Sequence, residues 1–189
     1  VIMGINPDGF GWHLDPGEHF EAPEAVTVYT NEGIGEMSRI FHRLYTKHLF
    51  NGKWKDIKRP LLINNWEATG MEFDGDTIVS FAKKAKELGI EMLVMDDGWF
   101  GHRDDDTSSL GDWQVNEEKL GGSLAYLIER INALGMKFGI WYEPEMISRD
   151  SDLYRAHPDW CIHVPGREKS IARHQYVLDF SRKDVRDYI

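Results

Sequence analysis

The stretch Ile90-Glu91-Met92-Leu93-Val94-Met95-Asp96-Asp97-Gly98-Trp99 runs as an almost unbroken apolar segment into two adjacent carboxylates, a glycine and a tryptophan. A strand with so few polar residues is typical of a parallel sheet covered on both faces. Polar residues gathered where such a strand stops mark the functional rim of an α/β fold.

The same pattern recurs on either side. Upstream, Leu61-Leu62-Ile63 forms a short strand that ends in Asn64-Asn65-Trp66-Glu67. The helix after it is predicted from Asp74 or Asp76 as N-cap, from Ile78, Phe81, Ala82, Ala85 and Leu88 on one stripe, and from Gly89 as its stop. Downstream, Leu124, Leu127, Ile128, Ile131 and Leu134 face inward on a helix over 123–134 that stops at Gly135. Lys137-Phe138-Gly139-Ile140 then runs into Trp141-Tyr142-Glu143-Pro144-Glu145. Leu88-Gly89-Ile90 and Leu134-Gly135-Met136 occupy matching places in successive units, so the chain repeats a βα motif with a long loop after the second strand. Such units in series give a doubly wound sheet or a (β/α)8 barrel.

The strand-to-helix turns bear on that choice. A nucleotide fold places a glycine-rich phosphate loop there, whereas Asn64-Asn65-Trp66 and Asp96-Asp97-Gly98-Trp99 offer bulk and negative charge. Gly33-Ile34-Gly35 imitates the start of a dinucleotide fingerprint but has Ser38 at the third glycine position, and Leu93 to Asp97 imitates a Walker B strand without any Walker A partner. Trp66, Asp96, Asp97, Trp99, Trp141, Glu143 and Glu145 lie at or just past strand ends. Sugars suit this mixture, because carboxylates accept charge-assisted bonds from hydroxyls and tryptophan faces pack on the C–H side of a pyranose. Blander roles stand beside that one: adjacent carboxylates also cap helices or bind metals, and tryptophans also fill cores. The eight histidines show no metal-ligand spacing, so no metal site is expected. Asp104-Asp105-Asp106 is expected to be a solvated loop, Cys161 a packed thiol and Asp179 a structural carboxylate.

Composition narrows the partners. The 189 residues carry a formal net charge of −10, which argues against a nucleic-acid or anionic-membrane surface and favours a neutral or cationic substrate. No window approaches the roughly 20 apolar residues of a membrane helix. One cysteine excludes an internal disulfide, and the opening Val1-Ile2-Met3-Gly4 lacks signal-peptide character, so a cytoplasmic location is expected. Residues 1–32 read as strands and turns, with turn signals at Asn6-Pro7-Asp8-Gly9 and Asp15-Pro16-Gly17 and a β-branched strand over Ala25 to Thr30. Residues 33–60 read as a helix, with Met37, Ile40, Phe41, Leu44, Tyr45 and Leu49 near one face, followed by a polar linker.

Taken in order, Asn64-Asn65-Trp66-Glu67-Ala68, Asp96-Asp97-Gly98-Trp99-Phe100-Gly101, Leu110-Gly111-Asp112-Trp113, Trp141-Tyr142-Glu143-Pro144-Glu145-Met146 and His157-Pro158-Asp159-Trp160 resemble the motifs of bacterial α-galactosidases of glycoside hydrolase family 36. The resemblance covers essentially the whole chain. It implies an α/β fold: 1–32 as the last strands of an N-terminal β-sandwich domain, 33–60 as a connecting helix and linker, and 61–189 as the first three βα units of a partial (β/α)8 TIM barrel. A whole barrel takes about 250 residues, roughly twice that last segment. A product of this length is therefore expected to aggregate, to associate with a partner, or to be a portion of a larger chain.

The resemblance further implies a retaining hydrolase that removes terminal α-linked galactose from galactosides of the melibiose and raffinose type, needs no cofactor, and is a homo-oligomer when intact. Retention uses two carboxylates about 5–5.5 Å apart, one as nucleophile and one as acid/base. The family's nucleophile stands in a Lys-Trp-Asp-Met-Asn motif that this chain does not contain, so no catalytic residue is assigned before Ile189. Carried over instead is a substrate wall of Trp66, Asp96, Asp97, Trp141 and Arg173, with the two aspartates accepting hydrogen bonds from galactose hydroxyls on carbons 4 and 6. Arg173 stands in Ala172-Arg173-His174-Gln175, where the family more often has Gly before it and Asn after. The alternatives are a non-catalytic sugar-binding or scaffold fragment and a galactosyl transferase.

Overall fold

A computed structural model describes residues 3–189, and the chain divides into two compact units, one ending at Arg59 and the other Pro60–Ile189. In the first unit both turns form. The Phe10 amide donates to the Pro7 carbonyl at 3.3 Å and the Glu18 amide to the Asp15 carbonyl at 3.0 Å. The strand expected over Ala25 to Thr30 does not: those residues make no ladder, and the unit's described residues contain no strand. β-branched residues favour an extended backbone, but a strand exists only where a second one accepts its hydrogen bonds. Helix α1, Gly33–Leu44, continues into one π-helical turn, Tyr45–Leu49, beside which the Thr46 hydroxyl donates to the His42 carbonyl. Its expected apolar face is at most half-buried at Ile40, Phe41 and Leu44.

The second unit is built on a parallel sheet of β1 (Leu62–Asn64), β2 (Met92–Met95) and β3 (Lys137–Ile140), with β2 in the centre. Ile63 pairs with Leu93, and Leu93 with Phe138, so the strand ends fall level. After β1 come the single turn α2 (Trp66–Thr69) and then α3 (Gly75–Glu87). Asp74 is the N-cap of α3, its carboxylate accepting from the Thr77 amide at 2.7 Å, and Gly89 follows the helix at φ +83, a conformation that spares a side chain the αL clash.

Helix α3 buries Ile78, Val79, Ala82 and Ala85 against the core. A helix of this length is marginal alone in water, and burying a large apolar side chain contributes about 1.5–3 kcal/mol, so the stripe rather than propensity holds it. After β2 a long loop leads to the short α4 (Glu117–Leu120) and to α5 (Leu124–Ala133), capped by Ser123 and buried at Leu127 and Ile131. Leu93, Met95, Phe100, Leu110, Leu120, Leu127 and Ile131 form the centre of this core.

Helices α3 and α4 meet at Gly75, where a Cβ would stand 2.1 Å from the Leu120 carbonyl oxygen. Backbone cannot swing aside as a side chain can. Gly75→Ala is therefore expected to destabilise the unit by about 3 kcal/mol, at the upper end of the usual overpacking cost, read as a lower denaturation midpoint of the full-length protein; an unchanged midpoint would show that α4 is free to shift.

Past β3 the chain does not enter a helix at once. It forms an antiparallel sheet in the order β4 (Met146–Ser148), β6 (Gln175–Val177), β5 (Ile171–Ala172), with α6 (Asp152–Ala156) between β4 and β5 and α7 (Lys183–Tyr188) at the end. Ile147, Leu153, Trp160, Cys161, Leu178 and Val185 make a second, smaller core here. Its strands are too short, two or three residues each, to show periodicity in the sequence.

Candidate functional site

Each strand of the parallel sheet ends in a polar or aromatic group held by its neighbours. At the end of β1, the Asn64 side chain accepts from the Trp66 amide at 2.6 Å and donates to the Asp96 carboxylate. This amide cannot be flipped without losing both bonds, so Asn64 presents its NH2 to Asp96. Asn65, fully buried, accepts from the Asp96 amide at 2.8 Å and donates to the Thr69 hydroxyl. The other Asp96 oxygen accepts from the Asp97 amide at 2.7 Å. Two donors thus hold the Asp96 carboxylate, and its remaining lone pairs are free for a ligand.

Asp97 lies deeper, 5% exposed. Its carboxylate is gripped by Arg103: Nε donates to Oδ1 at 3.0 Å and Nη2 to Oδ2 at 2.9 Å. Arg103 is itself 1% exposed, and its Nη1 donates to the Ser108 carbonyl at 2.9 Å.

At the end of β3, the Trp141 amide donates to the Met95 carbonyl at 2.8 Å, and its carbonyl accepts from the Trp99 indole at 2.9 Å. The Trp141 ring lies nearly parallel to Phe100, at 6.4 Å and 10°. Trp113 packs against Phe100 and Tyr142 at 4.6 and 4.1 Å, which gives that motif residue a role as backing for the aromatic wall. Its neighbour Asp112 accepts from the Asp152 and Leu153 amides at 2.8 and 2.9 Å and so holds the first turn of α6. Asp179 accepts from the Ser181 amide and hydroxyl, a structural turn as expected.

Arg173 and His174 are the two tip residues of the β5–β6 hairpin, at φ 48 and 62. Positive φ at both tip residues is the type I′ pattern, which Asn and Gly favour and a larger side chain enters at a cost. Arg173 Nη2 donates to both Glu143 oxygens, at 2.8 and 3.0 Å, and more weakly to Gln175 at 3.3 Å. Burial pushes the Glu143 carboxyl above its ordinary range, although Arg173 pulls it the other way.

Two predictions arise from this hairpin. His174→Asn is expected to raise the denaturation midpoint, by about 1 kcal/mol of relieved strain, the low end of the usual αL cost; a lower midpoint would mean that the imidazole makes a compensating contact. The folded pKa of Glu143 is raised, so its contribution to stability is present below the ordinary value of 4.5 and is lost as pH rises through the raised one. Glu143→Gln should abolish that decline, leaving a flatter stability profile above pH 4.5; identical profiles would refute it.

Trp66, Asp96, Asp97, Trp141 and Arg173, five residues singled out from the sequence, line one open depression of about 510 Å³ together with Asn64 and Glu67. Its size suits a sugar-sized ligand. Trp66 is 42% exposed and offers its ring, while Asp97 is reached only at its edge. Of the other candidates, Trp99 serves the wall through its indole bond, Glu143 holds Arg173, and Glu145 is exposed outside the depression. Asn64, Glu67 and Arg103 were not identified from sequence. Arg103 had one available signal, the need of a buried carboxylate for a partner charge. Burial also pushes the Cys161 thiol up, in keeping with a packed cysteine.

Comparison with known proteins places this geometry. Residues 19–189 match the melibiase family. The chain is 56% identical over its whole length to α-galactosidase AgaA of Geobacillus stearothermophilus and 50% identical to α-galactosidase Mel36A of Lactobacillus acidophilus, in each case covering 26% of the relative. The chain thus spans about a quarter of the length of these curated relatives. The crystal structure of AgaA superposes with a TM-score of 0.94 over 98% of this chain and 26% of that one, at 56% identity. A variant of AgaA crystallised with raffinose and another crystallised with stachyose match equally well, with TM-scores of 0.94 at 55% identity, over 98% of this chain and 26% of theirs. An α/β unit that gathers these strand-end residues, with a family match over residues 19–189 and relatives at least half identical along the whole chain, identifies this chain as a member of the melibiase family, glycoside hydrolase family 36.

Proposed function

We propose that this chain is the galactose-recognising part of a retaining α-galactosidase acting on galactosides of the raffinose and stachyose type. The observation that carries the reading is the convergence of Trp66, Asp96, Asp97, Trp141 and Arg173, from the ends of three parallel strands and the tip of a hairpin, on one depression. The three strands are the opening arc of a (β/α)8 barrel, preceded by the connecting helix and by a segment belonging to a β-sandwich domain. Active sites of such barrels lie at the C-terminal ends of the strands, where this depression is.

In the reaction, the indoles of Trp66 and Trp141 take the apolar side of the pyranose, and the carboxylates of Asp96 and Asp97 accept from its hydroxyls on carbons 4 and 6. Arg173, on its Glu143 tether, offers its remaining guanidinium N–H groups to the sugar. These contacts hold the anomeric carbon in place for two carboxylates supplied by other parts of the protein, one attacking and one protonating the leaving oxygen. No metal or organic cofactor takes part. The test is incubation of the full-length protein with melibiose in water. Release of free galactose supports the reading. Galactose recovered only on another sugar would make the protein a transferase, and binding without turnover would make it a sugar-binding scaffold.

A further inference from the structure

We propose that Arg103 is a positioning residue for substrate recognition: it sets the plane of the Asp97 carboxylate so that a lone pair left outside the guanidinium fork faces the sugar. This rests on the reading of the depression as a galactose site. The argument begins with acceptor capacity. An ionised carboxylate has about four lone-pair positions, and a bidentate guanidinium takes one on each oxygen from the same side. Nε to Oδ1 and Nη2 to Oδ2 form that fork here, with Nε also within 3.2 Å of Oδ2. Oδ2 takes two of these bonds and Oδ1 one, so of the four positions the outward one on Oδ1 is left to take a hydrogen bond from a sugar hydroxyl.

The guanidinium is itself fixed. Its third nitrogen donates to the Ser108 carbonyl, and the Arg103 amide to the Phe100 carbonyl at 3.2 Å. The loop around it is tied down by the Ser108 hydroxyl donating to the His102 carbonyl and by the His102 amide donating to the Ser109 hydroxyl. Gly98 lets the two ends of this loop close, since a Cβ there would stand 3.3 Å from the Arg103 carbonyl oxygen and 3.1 Å from Met71. Stability alone is a weak reason for such a loop, because a buried ion pair is commonly no better than apolar residues of the same volume. Orientation of an acceptor that would otherwise rotate about its side-chain torsions is what the fork adds.

The test compares hydroxyl recognition rather than overall rate. The full-length parent and Arg103→Lys, which keeps the charge and loses the fork, are assayed on p-nitrophenyl α-galactoside and on its 2-deoxy, 4-deoxy and 6-deoxy analogues. In the parent, removing a hydroxyl bound by Asp97 is expected to lower kcat/KM by about 10- to 100-fold, the range for a hydrogen bond to a charged group. In Arg103→Lys that penalty should shrink severalfold, while the 2-deoxy penalty stays as in the parent. Equal penalties in parent and variant, whatever the overall rate, would overturn the proposal and leave Arg103 a structural residue.

The double variant Asp97→Asn/Arg103→Met, which removes both charges together, guards against a misfolded single variant. A retained 4-deoxy and 6-deoxy penalty in it would show that Asp97 binds neither hydroxyl and would equally overturn the proposal. A parent that hydrolyses no galactoside would instead overturn the functional reading on which the proposal rests.

Discussion

Asp97→Ala in the full-length protein is expected to lower the stability of the domain by about 3–5 kcal/mol, the usual cost of leaving one member of a buried ion pair without the other. The reason is Arg103, 1% exposed and directed at a carboxylate that would no longer be there. The guanidinium, fully buried, has no water as an alternative partner, so the loss differs from that of a surface pair, which contributes little. Denaturant unfolding followed by tryptophan fluorescence would show it as an earlier transition of the domain, with the slope retained. Adding Arg103→Met should recover most of the loss, because it removes the unpaired charge together with its cause. An unchanged midpoint in Asp97→Ala would mean that water reaches the guanidinium. One practical consequence follows: substituting Asp97 alone confounds folding with recognition, however natural it is as a probe of the pocket.

Asp96→Asn is the cleaner probe, with an expected fall in kcat/KM of about 100-fold or more and little change in stability. Asp96 is partly exposed and has no buried cation to abandon, so unfolding is little affected. Recognition is another matter. Both oxygens of Asp96 accept from fixed donors, the Asn64 amide and the Asp97 backbone N–H. An asparagine there must turn its NH2 toward one of them, and Asn64 cannot flip to accept because its own oxygen holds the Trp66 amide. The substitution thus removes a charged acceptor and tilts the side chain; one hydrogen bond to a charged group is worth about 1.5–3 kcal/mol, and the upper figure is near 100-fold in rate. Measured kcat/KM on melibiose within a few-fold of the parent would show that Asp96 is not a ligand in the transition state.

The contrast between the two aspartates was not available from their sequence, where they are neighbours with the same chemistry. The strands, the helices that cover them and the stop signals were legible, because each depends on local pattern. Asp74 and Ser123 cap helices that end just before Gly89 and Gly135, and Met92 to Met95 pair on both sides as an apolar run of that length should. Where local pattern failed, the missing term was a partner elsewhere in the chain. Ala25 to Thr30 carry strand-like side chains and find no second strand, and β4, β5 and β6 exist through pairing that residues this few cannot announce.

The candidate site divides along the same line. Its membership was readable, since carboxylates and tryptophans at successive strand ends must meet once the strands lie parallel and level. The resemblance to family 36 supplied Arg173, which lies on a hairpin that pattern alone did not show. What each member does was settled by contacts between residues far apart in sequence or turned toward each other by a loop. Asn64 reaches Asp96 across the sheet, Glu143 holds Arg173, and Arg103 folds back beneath Asp97. Hydrophobic periodicity is a property of a segment and survives in the linear chain. The partner of a buried charge is a property of the packed interior, and only the folded unit assigns one aspartate an open face toward solvent and the other an arginine.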